Sequence, residues 1–168
     1  MFGTIDHVSG AIGVRVRRFY LSVRKKPDIS FLDSNLGVGG ACNLEDLSKE
    51  GIQSILDLRQ ETEDNPYELE KYNLKYLRIK IPDRSIPTLS EIKSGVEWIA
   101  LNIEQNKKVF VHCNLGRGRG PLFVILYLIS KGQNKDEAIK YIKKIRRHSY
   151  LNKNQLKLID EFQNINST

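Results

Sequence analysis

Short apolar runs alternate along the chain with stretches in which apolar residues recur every three or four positions, and this alternation sets the expected elements. Asn35 to Gly39 reads as a short strand. Asn43 is placed to cap a helix that Gly51 ends, and Ile52 to Leu58 is a strong strand, which together make one β-α-β step. Pro66 to Tyr72 suggests a short helix, and Leu74, Tyr76, Leu77, Ile79 and Ile81 mark the next strand. Thr88-Leu89-Ser90-Glu91 has the form of a capping box that opens a long helix through Ile92, Val96, Ile99 and Ile103. Val109 to Val111 reads as a short buried strand. Beyond a glycine-rich loop, Leu122 to Ser130 is apolar on nearly every side, as a helix in the centre of a fold would be. Asn134 with Glu137 caps a further helix closed by the basic Lys143 to Arg147, and Asn152 caps a last one reaching Phe162. Strands alternating with helices predict an α/β domain whose central, mostly parallel sheet is flanked by helices on both faces.

The first residues break this regularity. Val14-Arg15-Val16-Arg17 alternates like a strand, whereas Val16, Tyr20 and Val23 share a helix face. Residues 1–29 are read as a basic extension packed on or beside a catalytic domain of residues 30–168, with a membrane-surface segment as the alternative.

Size and composition narrow the class. A chain of 168 residues with 40% hydrophobic and 28% charged residues fits one globular domain. The longest uninterrupted apolar run, Pro121 to Ile129, falls well short of the ~20 residues that span a bilayer. Met1 to Gly10 lacks the basic start and apolar core of a secretory signal. A soluble cytoplasmic protein is therefore expected, with peripheral contact at an acidic membrane as an option. Two cysteines, Cys42 and Cys113, are too few for a disulfide framework, and with three histidines they make a poor zinc set. The net charge of +7 is uneven, at +5 over residues 1–26, −7 over 27–106 and +9 over 107–168. The basic C-terminal third suits an anionic partner. It carries no aromatic-rich or other nucleic-acid motif.

The chemistry concentrates in Val111-His112-Cys113-Asn114-Leu115-Gly116-Arg117-Gly118-Arg119-Gly120-Pro121. A strand, a glycine-rich loop and a helix N-terminus form an anion site, because successive N–H groups point inward and the helix dipole adds positive potential. The loop lacks the Lys-Ser/Thr of a nucleotide-binding loop and begins with a cysteine. The N–H groups and Arg119 that would stabilise phosphate would equally stabilise a thiolate.

Cys113, five intervening residues and Arg119 make a C-x5-R signature, and here the sequence resembles the cysteine-based protein tyrosine phosphatase superfamily. The resemblance extends over roughly residues 30–163. Asn35-Leu36-Gly37-Val38-Gly39-Gly40 and Ile55-Leu56-Asp57-Leu58 look like the start of small atypical dual-specificity phosphatases, and Ile81-Pro82-Asp83 followed by Pro87 looks like their general-acid loop. Arg117, with Gly13-Val14-Arg15-Val16 and Phe19-Tyr20, is also similar to phosphatases acting on phosphatidylglycerophosphate.

The resemblance implies hydrolysis of phosphate monoesters through a phosphocysteine intermediate, without cofactor or metal. Cys113 would be the nucleophile, Asp83 the general acid, and Arg119 the clamp on the phosphate oxygens. His112, Asn114, Leu115, Gly116, Arg117 and Gly118 would form the phosphate loop, with His112 orienting it. A phosphorylated protein, as for a protein tyrosine or dual-specificity phosphatase, is the leading substrate. A phospholipid (phosphatidylglycerophosphate or a phosphoinositide) and a weakly active phosphate-binding module are the alternatives.

The family carries Ser or Thr directly after the arginine, where this chain has Gly120, which bears on breakdown of the intermediate. The resemblance also suggests a water-positioning role for Gln155 and a protective disulfide between Cys42 and Cys113. The residues themselves read more simply as an N3 cap and a structural thiol. Lys140, Lys143, Lys144, Arg146 and Arg147 read as a solvated basic helix face.

Overall fold

The computed structural model describes residues 26–166 together with Ile12, Gly13, Arg15, Val16 and Phe19. Most of the expected extension over residues 1–29 thus lies outside the described residues, including Tyr20 and Val23. The five described positions near the start are helical.

Among the described residues, five strands form one sheet in the order β1-β2-β5-β3-β4. They are β1 (Ile29–Phe31), β2 (Leu36–Gly39), β3 (Ser54–Arg59), β4 (Lys75–Ile81) and β5 (Val109–His112). Only β1 runs antiparallel to its neighbour. The helices are α1 (Leu44–Lys49), α2 (Pro66–Lys71), α3 (Leu89–Glu104), α4 (Arg119–Ser130), α5 (Lys135–Ile145) and α6 (Lys153–Asn166).

Because successive strand residues point to opposite faces, the two halves of each buried strand feed two cores. Ile55 and Phe110 pack with Leu44 and Leu47 of α1 and Leu69 of α2. Leu56, Leu58, Val109 and Val111 pack with α3, α4 and α6 through residues such as Ile92, Phe123 and Ile159. The helix α4 lies at the centre of this second layer. Its residues Leu122 to Leu126 and Ile129 are all buried, which explains why its sequence shows no polar face.

The caps behave as their chemistry requires. Asn43 and Asn134 each accept an N–H from the residue two ahead, and Thr88 and Glu91 form the reciprocal capping box. Strands β2, β5 and β3 are mutually parallel, so their carboxyl ends, with that of β4, open at one edge of the sheet. In parallel sheets that edge is where ligands bind.

Candidate active site

Strand β5 is buried along its whole length and carries Cys113 to the carboxyl edge, where the thiol-bearing residue is 3% exposed. The loop that follows turns at Gly116, whose φ of +62° lies in the left-handed region. A methyl group there would collide with the carbonyl of Gly39 and with Arg146, so glycine is required twice over. Gly118 sits at the N-cap of α4 without a side-chain cap. The first N–H groups of a long buried helix therefore face the loop. A cavity of about 850 Å³ opens over this point, and Cys113, Asn114, Leu115, Arg117, Gly118 and Arg119 line it.

Two of the expected loop residues turn elsewhere. Gly116 forms the bend. His112 is buried away from the cavity, stacked on Phe110, with Nε2 at 3.3 Å from Asp64 and 3.8 Å from Asp57. Beneath the loop those two carboxylates gather Arg59, which donates to Asp57 at 2.7 and 2.8 Å and to Asp64 at 2.6 Å, while Tyr76 Oη donates to Asp57 at 2.7 Å. Burial raises the Asp64 pKa, but His112 and Arg59 outweigh it and the net shift is downward. Asp57, Asp64 and His112 have the spacing of a metal cluster. Arg59 already supplies a cation between the two carboxylates, so the group reads as an internal ion network beside His112, whose two ring nitrogens are buried without a hydrogen-bond partner among the described residues.

Arg119 is 2% exposed and tightly held. Its Nη1 donates to Ile81 O (2.9 Å), Leu58 O (3.3 Å) and Glu61 Oε2 (2.8 Å), and its Nη2 donates to Glu61 Oε1 (2.7 Å). Its Nε is buried and has no partner among the described residues. Burial opposes the charge on Arg119, yet Glu61 foremost, with Cys113 and Asp83, carries the pKa above its ordinary value. Glu61 responds in kind, and its hydrogen bond to Arg119 draws the carboxyl down to about 2. Asp83 stands on the loop after β4 with its side chain 72% exposed and Oδ1 at 3.4 Å from Arg119 Nη2. The three residues assigned to catalysis from the sequence thus meet at one cavity.

The basic face expected on α5 divides. Lys140, Lys143, Lys144 and Arg147 are exposed, but Arg146 is 3% exposed. At the end of α5 the backbone leaves helical geometry and swings this side chain beneath the loop that follows β5. There it donates to the carbonyls of Gly116 and Leu115 and pairs with Asp28 at 2.8 and 3.1 Å. Holding loop carbonyls outward is what leaves loop N–H groups facing inward. Gln155 exchanges hydrogen bonds with Asn152 as the expected N3 cap of α6, and the same residue lines the cavity. Cys42 sits between Asp28 N and Gly40 O as a structural thiol would.

Glu61, Arg146 and Asp28 were not singled out by sequence reasoning as parts of the site. Only Glu61 had a signal, as a charged residue just beyond the carboxyl end of a central parallel strand. Gly120 lies in the helical region, so no left-handed backbone requires glycine there. An added Cβ would sit 3.4 Å from Val38 Cγ2 and 3.6 Å from Val111 O, which is ordinary contact.

The family profile described as dual specificity phosphatase, catalytic domain, matches residues 36–165. The phosphatidylglycerophosphatase and protein-tyrosine phosphatase 1 of Mus musculus is 29% identical over 135 residues, covering 73% of this chain and 70% of its own. The phosphatidylglycerophosphate phosphatase PTPMT2 of Arabidopsis thaliana is 30% identical over 130 residues, covering 72% of this chain and 55% of its own. The crystal structure of PTPMT1 superposes with a TM-score of 0.75 at 24% identity, covering 83% of this chain and 96% of that one.

Proposed function

Because the chain belongs to the dual specificity phosphatase family, and is thus a hydrolase of phosphate esters, we propose that it removes the terminal phosphate of an anionic glycerophospholipid of the phosphatidylglycerophosphate type. In the proposed mechanism the Cys113 thiolate attacks phosphorus in line, and the loop N–H groups and Arg119 hold the three equatorial oxygens. The S–P bond forms as the P–O bond to the leaving group breaks, and Asp83 delivers its proton to that oxygen. Asp83, now a carboxylate, takes a proton from water as the water displaces sulfur, which releases phosphate and restores the thiolate.

The observation that carries the lipid reading lies at the cavity mouth. Arg15 lines the cavity, and around it Ile12, Val16 and Phe19 are helical and 57%, 62% and 72% exposed. Apolar side chains at a spacing of four and three residues, beside a cation at the entrance, suit the surface of an acidic bilayer better than water. The names of the mouse and Arabidopsis relatives support the same substrate. A phosphotyrosine protein is the second reading, supported by the other half of the mouse relative's name.

A panel at fixed ionic strength decides between them. We expect kcat/KM for short-chain phosphatidylglycerophosphate to exceed that for phosphotyrosine, phosphoserine and phosphothreonine peptides by at least about tenfold. A preference for phosphotyrosine peptide overturns the lipid reading.

Gly120 bears on the second displacement, because it leaves the departing thiolate without the hydroxyl its relatives supply. The expected result is a burst of leaving group close to the enzyme concentration. Since the site admits a side chain, Gly120→Ser should raise the steady-state rate at an unchanged melting temperature. No burst, and no gain from serine, would show that another group supports the sulfur.

A further inference from the structure

A phosphate monoester needs Arg119 and the loop N–H groups, yet the cavity above them is far larger than one phosphate. At about 850 Å³ it is of the size that takes a whole small ligand. Besides Arg15, two more arginines from distant parts of the chain line it, Arg117 from the phosphate loop and Arg84 from the loop after β4. Arg117 is buried, with Nε donating to His148 O at 3.2 Å and its guanidinium over the Tyr150 ring at 5.9 Å. Burial, and then the like charge of Arg84, lower its pKa.

Arg84 is held in place at some cost. Its φ of +62° is a left-handed conformation that a long side chain rarely adopts. Two residues at the start of α6 fix this loop from the cavity side, Asn152 donating to Arg84 O at 2.7 Å and Gln155 to Ser85 O at 3.3 Å. A strained backbone pinned so that Arg84, with Asp83 Oδ2 at 3.9 Å from its Nε, lines the same cavity as Arg117 is a feature that a bound anion would explain.

We propose that Arg84 and Arg117 form a second anion subsite, which takes a phosphodiester on the same substrate whose terminal phosphate lies at Cys113. The inference rests on the lipid reading and sharpens it. The enzyme distinguishes a headgroup with two phosphates from one with a single phosphate. Arginine suits the task, since its planar fork binds phosphate oxygens in pairs.

The test compares dihexanoyl phosphatidylglycerophosphate, which carries the monoester and the diester, with dihexanoyl phosphatidic acid, which carries the monoester alone. Both are used below their micelle concentrations, so that surface binding plays no part. In the wild-type protein we expect kcat/KM to favour the two-phosphate lipid by about tenfold or more. In Arg84→Gln the ratio should fall at least about fivefold, mainly through KM, and Arg84→Lys should restore part of it. The Arg84 side chain is 68% exposed, so the variants remain folded, as their melting curves should verify. If the wild type hydrolyses the two-phosphate lipid but Arg84→Gln leaves the ratio unchanged, the subsite is wrong and the lipid reading stands. If the wild type hydrolyses neither lipid while hydrolysing a phosphotyrosine peptide, both fall.

Discussion

Cys113→Ser should lose at least about 10⁴-fold in turnover of p-nitrophenyl phosphate, while still binding vanadate. In the proposed mechanism the attacking group is a thiolate, whereas a serine hydroxyl stays protonated near neutral pH. Nothing else in the loop changes. Cys113 is 3% exposed at the end of a buried strand, and serine is slightly smaller, so the backbone path through Gly116 and Gly118 persists. In the proposed mechanism the groups that hold the anion, namely the loop N–H groups and Arg119, are contributed by other residues. Arg146 and Asp28 brace the loop from below, independently of the thiol. Steady-state assays with vanadate titration by calorimetry check both halves of the expectation. Residual activity above about 1% of the parent, with contamination excluded, would remove Cys113 from the nucleophile's role. Lost vanadate binding at an unchanged melting temperature would mean that the thiol itself shapes the loop.

The legible parts of this molecule are those decided by neighbours in sequence. Asn43, Thr88 and Asn134 announce their helices because a cap acts on N–H groups two or three residues ahead. The buried strands β3 and β5 show as apolar runs, and the phosphate loop shows as a fixed spacing. What stayed hidden depends on pairing across long stretches of chain. Glu61 meets Arg119 from 58 residues away, and Asp28 meets Arg146 from 118. In sequence Arg146 is one cation among several on a basic helix. Only the departure from helical geometry at the end of α5 turns it inward. Gly120 shows the converse, because a residue type alone does not disclose backbone geometry, and its φ is not positive. The apolar run that marks α4 begins at Leu122, three residues after the helix does, since arginine, glycine and proline mask a first turn that has no side-chain cap.

Arg119→Lys tests whether the clamp works as a planar fork or merely as a charge. In the resting protein Nη1 is taken up by Glu61, Leu58 O and Ile81 O and Nη2 donates to Glu61, which fixes the plane of the guanidinium and leaves the buried Nε and the second Nη2 N–H for an incoming phosphate. A lysine ammonium cannot serve the Glu61 pair and the phosphate together. We expect kcat/KM to fall by about 10²- to 10³-fold or more, the scale of losing a preorganised donor to the transition state. Glu61→Gln provides the control. It keeps the guanidinium but weakens its support, so a loss near tenfold is expected, as befits a positioning residue. Acid stability gives a second readout. Folded Glu61 holds its pKa at about 2, against an ordinary value of 4.5. The unfolded chain therefore binds the proton first, and the stability contributed by the pair, complete above 4.5, is lost as pH falls through about 2. Arg119→Lys should raise the folded pKa and shrink that acid-sensitive window, measured as melting temperature against pH. Equal losses of activity in Arg119→Lys and Glu61→Gln, with matching melting curves, would show that Arg119 acts as a strut and that phosphate is held by the loop alone.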